Sequence, residues 1–209
     1  MNLMMPFQGA TSAFATQIET LASRIKGKII LPSHADYDAY RAVAHSNFDY
    51  RPLLVVRVAS APDVADVLDF ARANKLPVAV RSGGHSTCGH SGCDGGVVID
   101  LRELNAFLID HADMTAWAGS GLTSGEVTLA LEKHQLMVGF GDSASVGIGG
   151  LTLGGGIGYL VRKHGLTIDS VLAAEVVTAN GDILIADDTQ NTDLFWALRG
   201  GGGNFGVVT

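Results

Sequence analysis

The stretch Arg81–Cys93 reads RSGGHSTCGHSGC and holds a dense set of reactive side chains. His85, Cys88, His90 and Cys93 follow a His-x2-Cys-x-His-x2-Cys spacing with glycines between them. Imidazole and thiolate are zinc ligands. Zinc sites, however, usually take two ligand pairs from segments about a dozen residues apart, and four ligands this close together complete a tetrahedron poorly. The same loop can instead turn successive backbone N–H groups toward an anion, because glycine lets the main chain approach a phosphate closely. A glycine-rich surface loop with incidental histidines is the third reading.

A second glycine-rich stretch, Gly139–Gly158, bears on that choice. Val146-Gly-Ile-Gly-Gly150 and Gly154-Gly-Gly-Ile-Gly158 offer the same kind of backbone, and no acidic residue between Asp142 and Asp169 repels a bound anion. Two such loops suit a long diphosphate cofactor better than a lone phosphate. Other nucleotide signatures fail. Gly201-Gly-Gly203-x-x-Gly206 fits G-x-G-x-x-G in letters but has no following helix or acidic ribose ligand, and no G-x4-G-K-[ST] occurs.

The elements that must position these loops follow from hydrophobic patterning. Residues 11–25 have helical spacing (Phe14, Ile18, Leu21, Ile25) behind a candidate cap at Ser12. LLVVRV (53–58) is a buried strand, SAPD (60–63) opens a helix ending near Lys75, and LPVAV (76–80) is a second strand parallel to the first. The loop after Val80 therefore leaves the C-terminal end of a parallel strand, where α/β folds bind ligands. GVVIDL (96–101), Ala106–Ile109 and Thr115–Ala118 suit an antiparallel sheet. Thr123-x-x-Glu126 caps a helix through about Gln135. Val171–Thr178 and Asp182–Ala186 flank Asn180-Gly181 as a hairpin, and Thr192 and Gly200 bound a last helix.

Bulk composition narrows the function. At 209 residues the chain can bury a sizeable core as one domain or two small lobes. Its net charge of −7 argues against nucleic-acid or anionic-membrane surfaces. Charged residues are 17% of the chain, below the ~25% usual for soluble domains. The mean hydropathy is positive, so apolar surface is expected to be covered by a cofactor, another domain or a subunit. Two cysteines imply no disulfide framework, and the first residues lack a secretory pattern. No apolar run approaches the ~20 residues of a membrane span. A cytoplasmic location is the expectation.

RSGGHS (81–86), SVGIGGLTLGGGIGYLVRKHGLTID (145–169) and DLFWALRGGGGNFGVVT (193–209) resemble, in order and spacing, the vanillyl-alcohol oxidase and p-cresol methylhydroxylase superfamily of flavoproteins. Within it the likeness is to the berberine-bridge-enzyme-like oxidases, and it covers most of residues 50–209. It implies an α+β fold, a two-lobed FAD-binding domain of p-cresol methylhydroxylase type. A small parallel α/β lobe (49–101) and an antiparallel β lobe (102–209) would follow an N-terminal helix and lead-in (1–48). FAD would lie between the lobes. The implied cofactor residues are Arg81, Ser82, Gly83, Gly84, His85, Ser86, His90 and Ser91 from the first loop. From the second come Ser143, Ala144, Ser145, Val146, Gly147, Gly149, Gly150, Gly154, Gly155 and Gly158, with Val207 from the last strand.

The resemblance also implies that the loop histidine, here His85, bonds covalently to the flavin 8α-methyl carbon. Doubly linked members add a cysteine, where this chain has Ser143, and often a histidine, where it has Leu151. A serine hydroxyl is too weak a nucleophile for that addition, so a single link through His85 is expected. Family members continue into a substrate domain that covers the flavin face, so the chain reads as the flavin-binding part of an oxidase, a fragment expected to be inactive alone. The full-length reaction would use a small-molecule substrate (an alcohol, sugar or amine) and O2. A zinc module through His85, Cys88, His90 and Cys93, and an inactive structural fragment, are the alternatives. No base is assigned: Tyr159, Arg162, Lys163 and His164 read as a solvated helix face, and Asp193 with a buried Phe195–Trp196 pair as packing.

Overall fold

The computed structural model describes residues 11–209. Helix α1 (Thr11–Arg24) leads into strand β1 (Lys28–Ile30) and a short helix α2 (Tyr37–Arg41). Ser12 lies inside the first turn of α1 instead of ahead of it. Strand β2 (Leu54–Arg57), helix α3 (Ala61–Ala73), strand β3 (Val78–Arg81) and strand β4 (Val97–Asp100) follow. The sheet order is β1-β2-β4-β3. β4 runs parallel to both β2 and β3, and β1 runs antiparallel to β2. Lys28–Ile30, ahead of residue 49, is thus the edge strand of this sheet.

β2 and β3 share a direction as expected, but they are not neighbours. Gly96–Leu101, expected in the antiparallel sheet, supplies the strand between them. Its composition gives the reason: Val97, Val98, Ile99 and Asp100 are all buried, as a central strand covered on both faces requires. The β3-to-β4 crossover is the glycine loop itself, so no helical pattern announces a second parallel unit.

Leu54, Val56, Val97 and Ile99 pack on one face of the sheet against Val64, Val67 and Ala71 of α3 and Leu21 of α1. Ile30, Tyr37, Val55, Ala79 and Val98 fill the other. Ser60 caps α3 by accepting from the Asp63 N–H. The buried Asp63 carboxylate in turn accepts from the N–H groups of Lys26, Gly27 and Ala59 at 3.1, 2.8 and 2.9 Å and from the Ser60 hydroxyl at 2.8 Å. One side chain therefore ties the α1–β1 turn to the start of α3.

The remaining elements are antiparallel or helical. β5 (Phe107–Asp110) pairs with β6 (Thr115–Ala118), and α4 (Ser124–Glu132) begins with the Thr123/Glu126 capping box. It stops short of Gln135, which has a φ of 59°. Short helices α5 (Ile148–Leu153) and α6 (Val161–His164) lead to the hairpin of β7 (Ala173–Val177) and β8 (Ile183–Asp187). Helix α7 (Thr192–Gly201) and strand β9 (Val207–Val208) close the chain, with sheet order β8-β7-β9. Asn191, not Thr192, precedes α7, and the helix breaks at Arg199–Gly200. Phe195 is buried but Trp196 is 76% exposed, which corrects the expected buried pair. Val177 and Val207 reach the cluster around α3, so the two lobes meet in that cluster, while the antiparallel part also packs around Leu122 and Val127 and around Val176 and Phe195.

Burial pushes the Asp63 carboxyl up, but its hydrogen bonds from Ala59, Ser60, Lys26 and Gly27 outweigh that and hold it below the ordinary carboxylate range. A lowered carboxylate contributes stability above the unfolded value, near about pH 4, and loses it as pH falls through the folded value. Asp63→Asn is expected to cost about 2–3 kcal/mol near neutral pH and to flatten the acid side of the stability curve. Chemical denaturation across that pH range checks both.

Candidate functional site

Strand register decides what stands at the C-terminal edge of the parallel sheet. Arg57, Asp100 and Arg81 end β2, β4 and β3 and lie side by side. Asp100 is fully buried and accepts from Arg102 at 2.7 Å, Arg81 at 3.0 Å and Arg57 at 3.3 Å. Burial raises its carboxyl, but the Arg102 hydrogen bond and the charges of Arg81 and Arg102 prevail and hold it low. Arg81 also donates to the carbonyls of Tyr40 and Ala42. Arg81, expected among the cofactor residues, is therefore a buried strut beneath the loop that straps α2 to the sheet. Each of LLVVR, VAVR and VVID ends in a charge, a sequence signal that points to such a cluster only once the strands are aligned.

The two glycine-rich segments meet above that edge. Gly83 and Gly147 touch backbone to backbone: a Cβ on either would overlap the other's nitrogen. Ser82, buried, donates to the Ser120 carbonyl at 2.6 Å. On the other side the Ile148 N–H donates to the Leu122 carbonyl at 2.9 Å. The carbonyls of Ala144 and Val146 accept from Gly125 and Ser124 at the start of α4. The Ser120 hydroxyl, buried at this seam, has no hydrogen-bond partner among the described residues. Neither Ser120 nor Leu122 stood out in the sequence, because their part is played by backbone carbonyls.

Donors collect along the seam. Among the described residues, the backbone N–H groups of Gly83, Gly84, His85, Ser86, Thr87 and Cys88 make no hydrogen bond, nor do those of Gly149 and Gly150 at the start of α5. An amide cradle of this kind fits an anion such as a diphosphate without a basic side chain. Of Gly154, Gly155 and Gly158, expected to add a further row, two have their N–H groups engaged within the chain. The first two donate to Gly150 and Thr152, and Gly158 packs against the Phe140 backbone. Val207 places its side chain in the core. Ser91 is buried, and His90 is exposed with its N–H on Ser86 Oγ at 3.1 Å.

His85 stands where the segments join. Its Nε2 lies 3.0 Å from Ser145 Oγ, which lies 3.2 Å from Ser143 Oγ. The Ala44 N–H donates to the Gly84 carbonyl, and the His45 ring stands edge-on to His85, 6.3 Å between centroids. The far half of the loop folds over the stacked rings of Phe48 and Tyr50, on which Gly89 and Gly92 rest. The lead-in residues His45, Phe48 and Tyr50 thus support the loop, a role their irregular stretch did not signal.

That folding separates the candidate zinc ligands. Cys93 turns inward, its thiol near the carbonyls of Val97 and Pro77 at 3.7 and 3.9 Å, while Cys88 and His90 face solvent. Burial raises the Cys93 thiol, which disfavours a metal-binding thiolate. Among the described residues no three His, Cys, Asp or Glu side chains are placed to hold a metal. This placement gives the zinc alternative no support. Tyr159, Arg162, Lys163 and His164 lie on and beside the short α6, which buries none of its residues, as a solvated face should. A cavity of about 810 Å³ forms a groove between the β5–β6 hairpin and β7 and reaches the seam at Ser120, Ile148 and Gly149; of the expected cofactor residues it touches Gly149 alone. We place the site at the seam, where two segments with unengaged amides touch, because the groove is lined mainly by apolar side chains such as Met114, Trp117 and Phe140. No helix among the described residues is long and apolar enough to cross a membrane.

Parallel and antiparallel lobes joined at an amide-lined seam define an FAD-binding fold, and comparison with known proteins agrees. Residues 52–187 match the FAD binding domain family, and the chain belongs to it. It is 42% identical over 185 residues to (R)-6-hydroxynicotine oxidase of Paenarthrobacter nicotinovorans, covering 88% of this chain and 40% of that protein. Among solved structures, BBE-like 1 of Physcomitrella patens superposes with a TM-score of 0.88 at 31% identity, covering 92% of this chain and 42% of the other. Glucooligosaccharide oxidase of Acremonium strictum, described with a 6-S-cysteinyl, 8α-N1-histidyl FAD, gives 0.86 at 30% identity over 92% and 41%. The chain thus spans about two fifths of these relatives. They are FAD-linked oxidases of the vanillyl-alcohol oxidase and berberine-bridge-enzyme-like families.

The seam makes a sharp contrast among glycines. Gly83→Ala and Gly147→Ala each force backbone apart and are expected to cost about 2–4 kcal/mol. Gly150→Ala meets nothing within 4 Å and is expected to stay within about 0.5 kcal/mol of the parent. Urea denaturation of the three variants reads the difference.

Proposed function

We propose that the seam binds FAD by its diphosphate and that His85 attaches the cofactor covalently through the flavin 8α-methyl carbon. The N–H groups of Gly83–Cys88 and of Gly149 and Gly150 would hold the diphosphate. The buried Asp100–Arg81 pair would keep the loop open to it. Bound FAD would accept hydride from a substrate carbon and pass the electrons to O2, giving hydrogen peroxide. The observation that carries this reading is the placement of His85 at the contact of both glycine segments, beside that run of N–H donors. With Ser143 in place of a cysteine, one covalent link is the expectation.

The substrate class is an alcohol, a sugar hemiacetal or an amine carbon, in keeping with relatives named as oxidases of hydroxynicotine and of glucooligosaccharides. The catalytic base and substrate contacts are proposed to come from a substrate domain over the flavin face, outside the stretch described here.

Incubating the purified chain with FAD, precipitating with acid and measuring flavin fluorescence in the pellet tests the proposal. The parent chain is expected to retain flavin. His85→Ala should bind FAD but release it all to the supernatant, and Cys88→Ala should behave as the parent. Flavin retained by His85→Ala, or stoichiometric zinc without flavin in the parent, contradicts the reading.

A further inference from the structure

The imidazole of His85 is engaged at one nitrogen alone. Nε2 faces Ser145 Oγ at 3.0 Å and Ser145 Oγ faces Ser143 Oγ at 3.2 Å, while Nδ1 makes no hydrogen bond among the described residues. A neutral imidazole carries one N–H, and its other nitrogen keeps the in-plane lone pair. A serine hydroxyl can accept from one neighbour while donating to the next. The two contacts run in either direction: with the proton on Nε2, the chain Nε2–H to Ser145 to Ser143 satisfies all three groups and leaves the lone pair on Nδ1.

We propose that Ser145, backed by Ser143, is a positioning residue for cofactor attachment. It holds the Nε2–H tautomer and the ring orientation that make Nδ1 the bonding atom. The proposal rests on the flavin reading above. Nδ1 forms a single bond to the methyl carbon, and that carbon loses one hydrogen as a proton. The Nε2 proton leaves through Ser145 and Ser143 to solvent. The electron pair of the broken C–H bond passes by way of the flavin to dioxygen, which with the two protons becomes hydrogen peroxide. Where doubly linked family members carry their second bonding cysteine, this chain has the terminal hydroxyl of that relay.

The parent chain, Ser145→Ala and Ser145→Thr are incubated aerobically with FAD. Bound flavin is measured before denaturation and attached flavin after it, at successive times. The histidyl-flavin released by proteolysis is assigned by NMR as the Nδ1 or Nε2 isomer. Ser145→Ala is expected to attach its bound flavin about tenfold more slowly, the effect of losing one orienting hydrogen bond. Ser145→Thr, which keeps the hydroxyl, should restore the rate, and the parent product should be the Nδ1 isomer. Equal rates in Ser145→Ala, or an Nε2 product in the parent, overturn the proposal and leave the flavin reading standing. A Ser145→Ala chain that takes up no FAD assigns Ser145 to binding and also counts against it. A parent that binds FAD without attaching it, or binds none, overturns the covalent or the whole flavin reading respectively, and the proposal with it.

Discussion

The contact of Gly83 with Gly147 is the constraint on which the site depends. Two segments distant in sequence approach until their main chains touch, which no side chain at either position permits. Close approach brings the N–H groups of the first loop and those at the start of α5 to one seam. It also sets His85 against Ser145. Separate the segments and each becomes an ordinary glycine-rich turn with solvated amides. The Ser82–Ser120 hydrogen bond and the bonds accepted by the carbonyls of Leu122, Ala144 and Val146 hold the contact from both sides.

Beneath the seam, the parallel sheet supplies rigidity through an ion cluster. Asp100 is flanked in register by Arg57 and Arg81 and capped by Arg102. Buried ion pairs of this kind contribute little net stability, since desolvation offsets much of the attraction. Their value here is geometric. Arg81 is planar and forked, so it fixes the last residue of β3, and with it the angle at which the glycine loop departs. The same side chain holds the carbonyls of Tyr40 and Ala42, which brings His45 beside His85.

Much of this was legible in the sequence, where local pattern and fold agree. The N-cap at Ser60, the capping box at Thr123, the strand within LLVVRV and the Asn180-Gly181 hairpin all form as their residues dictate. The composition of the two glycine segments already marks them as partners. What escaped was non-local. Val97–Asp100 reads equally as an antiparallel or a central parallel strand, and its burial on both faces decides the matter. Arg81 carries the chemistry of a phosphate ligand, and register with Asp100 turns it into a strut. Gly154 and Gly155 share a composition with Gly147–Gly150, yet their N–H groups close the turn after α5, and Gly158 packs against the Phe140 backbone. Ser120 and Leu122 act through carbonyls, which every residue has.

The central claim is that both glycine segments present their amides to one diphosphate. Amide hydrogen exchange of the chain with and without FAD tests it residue by residue. The account predicts that Gly83–Cys88 and Gly149–Gly150 slow together on addition of the cofactor, with the β5–β6 wall of the groove unaffected. Protection confined to that groove, with the loop amides exchanging as before, would contradict it.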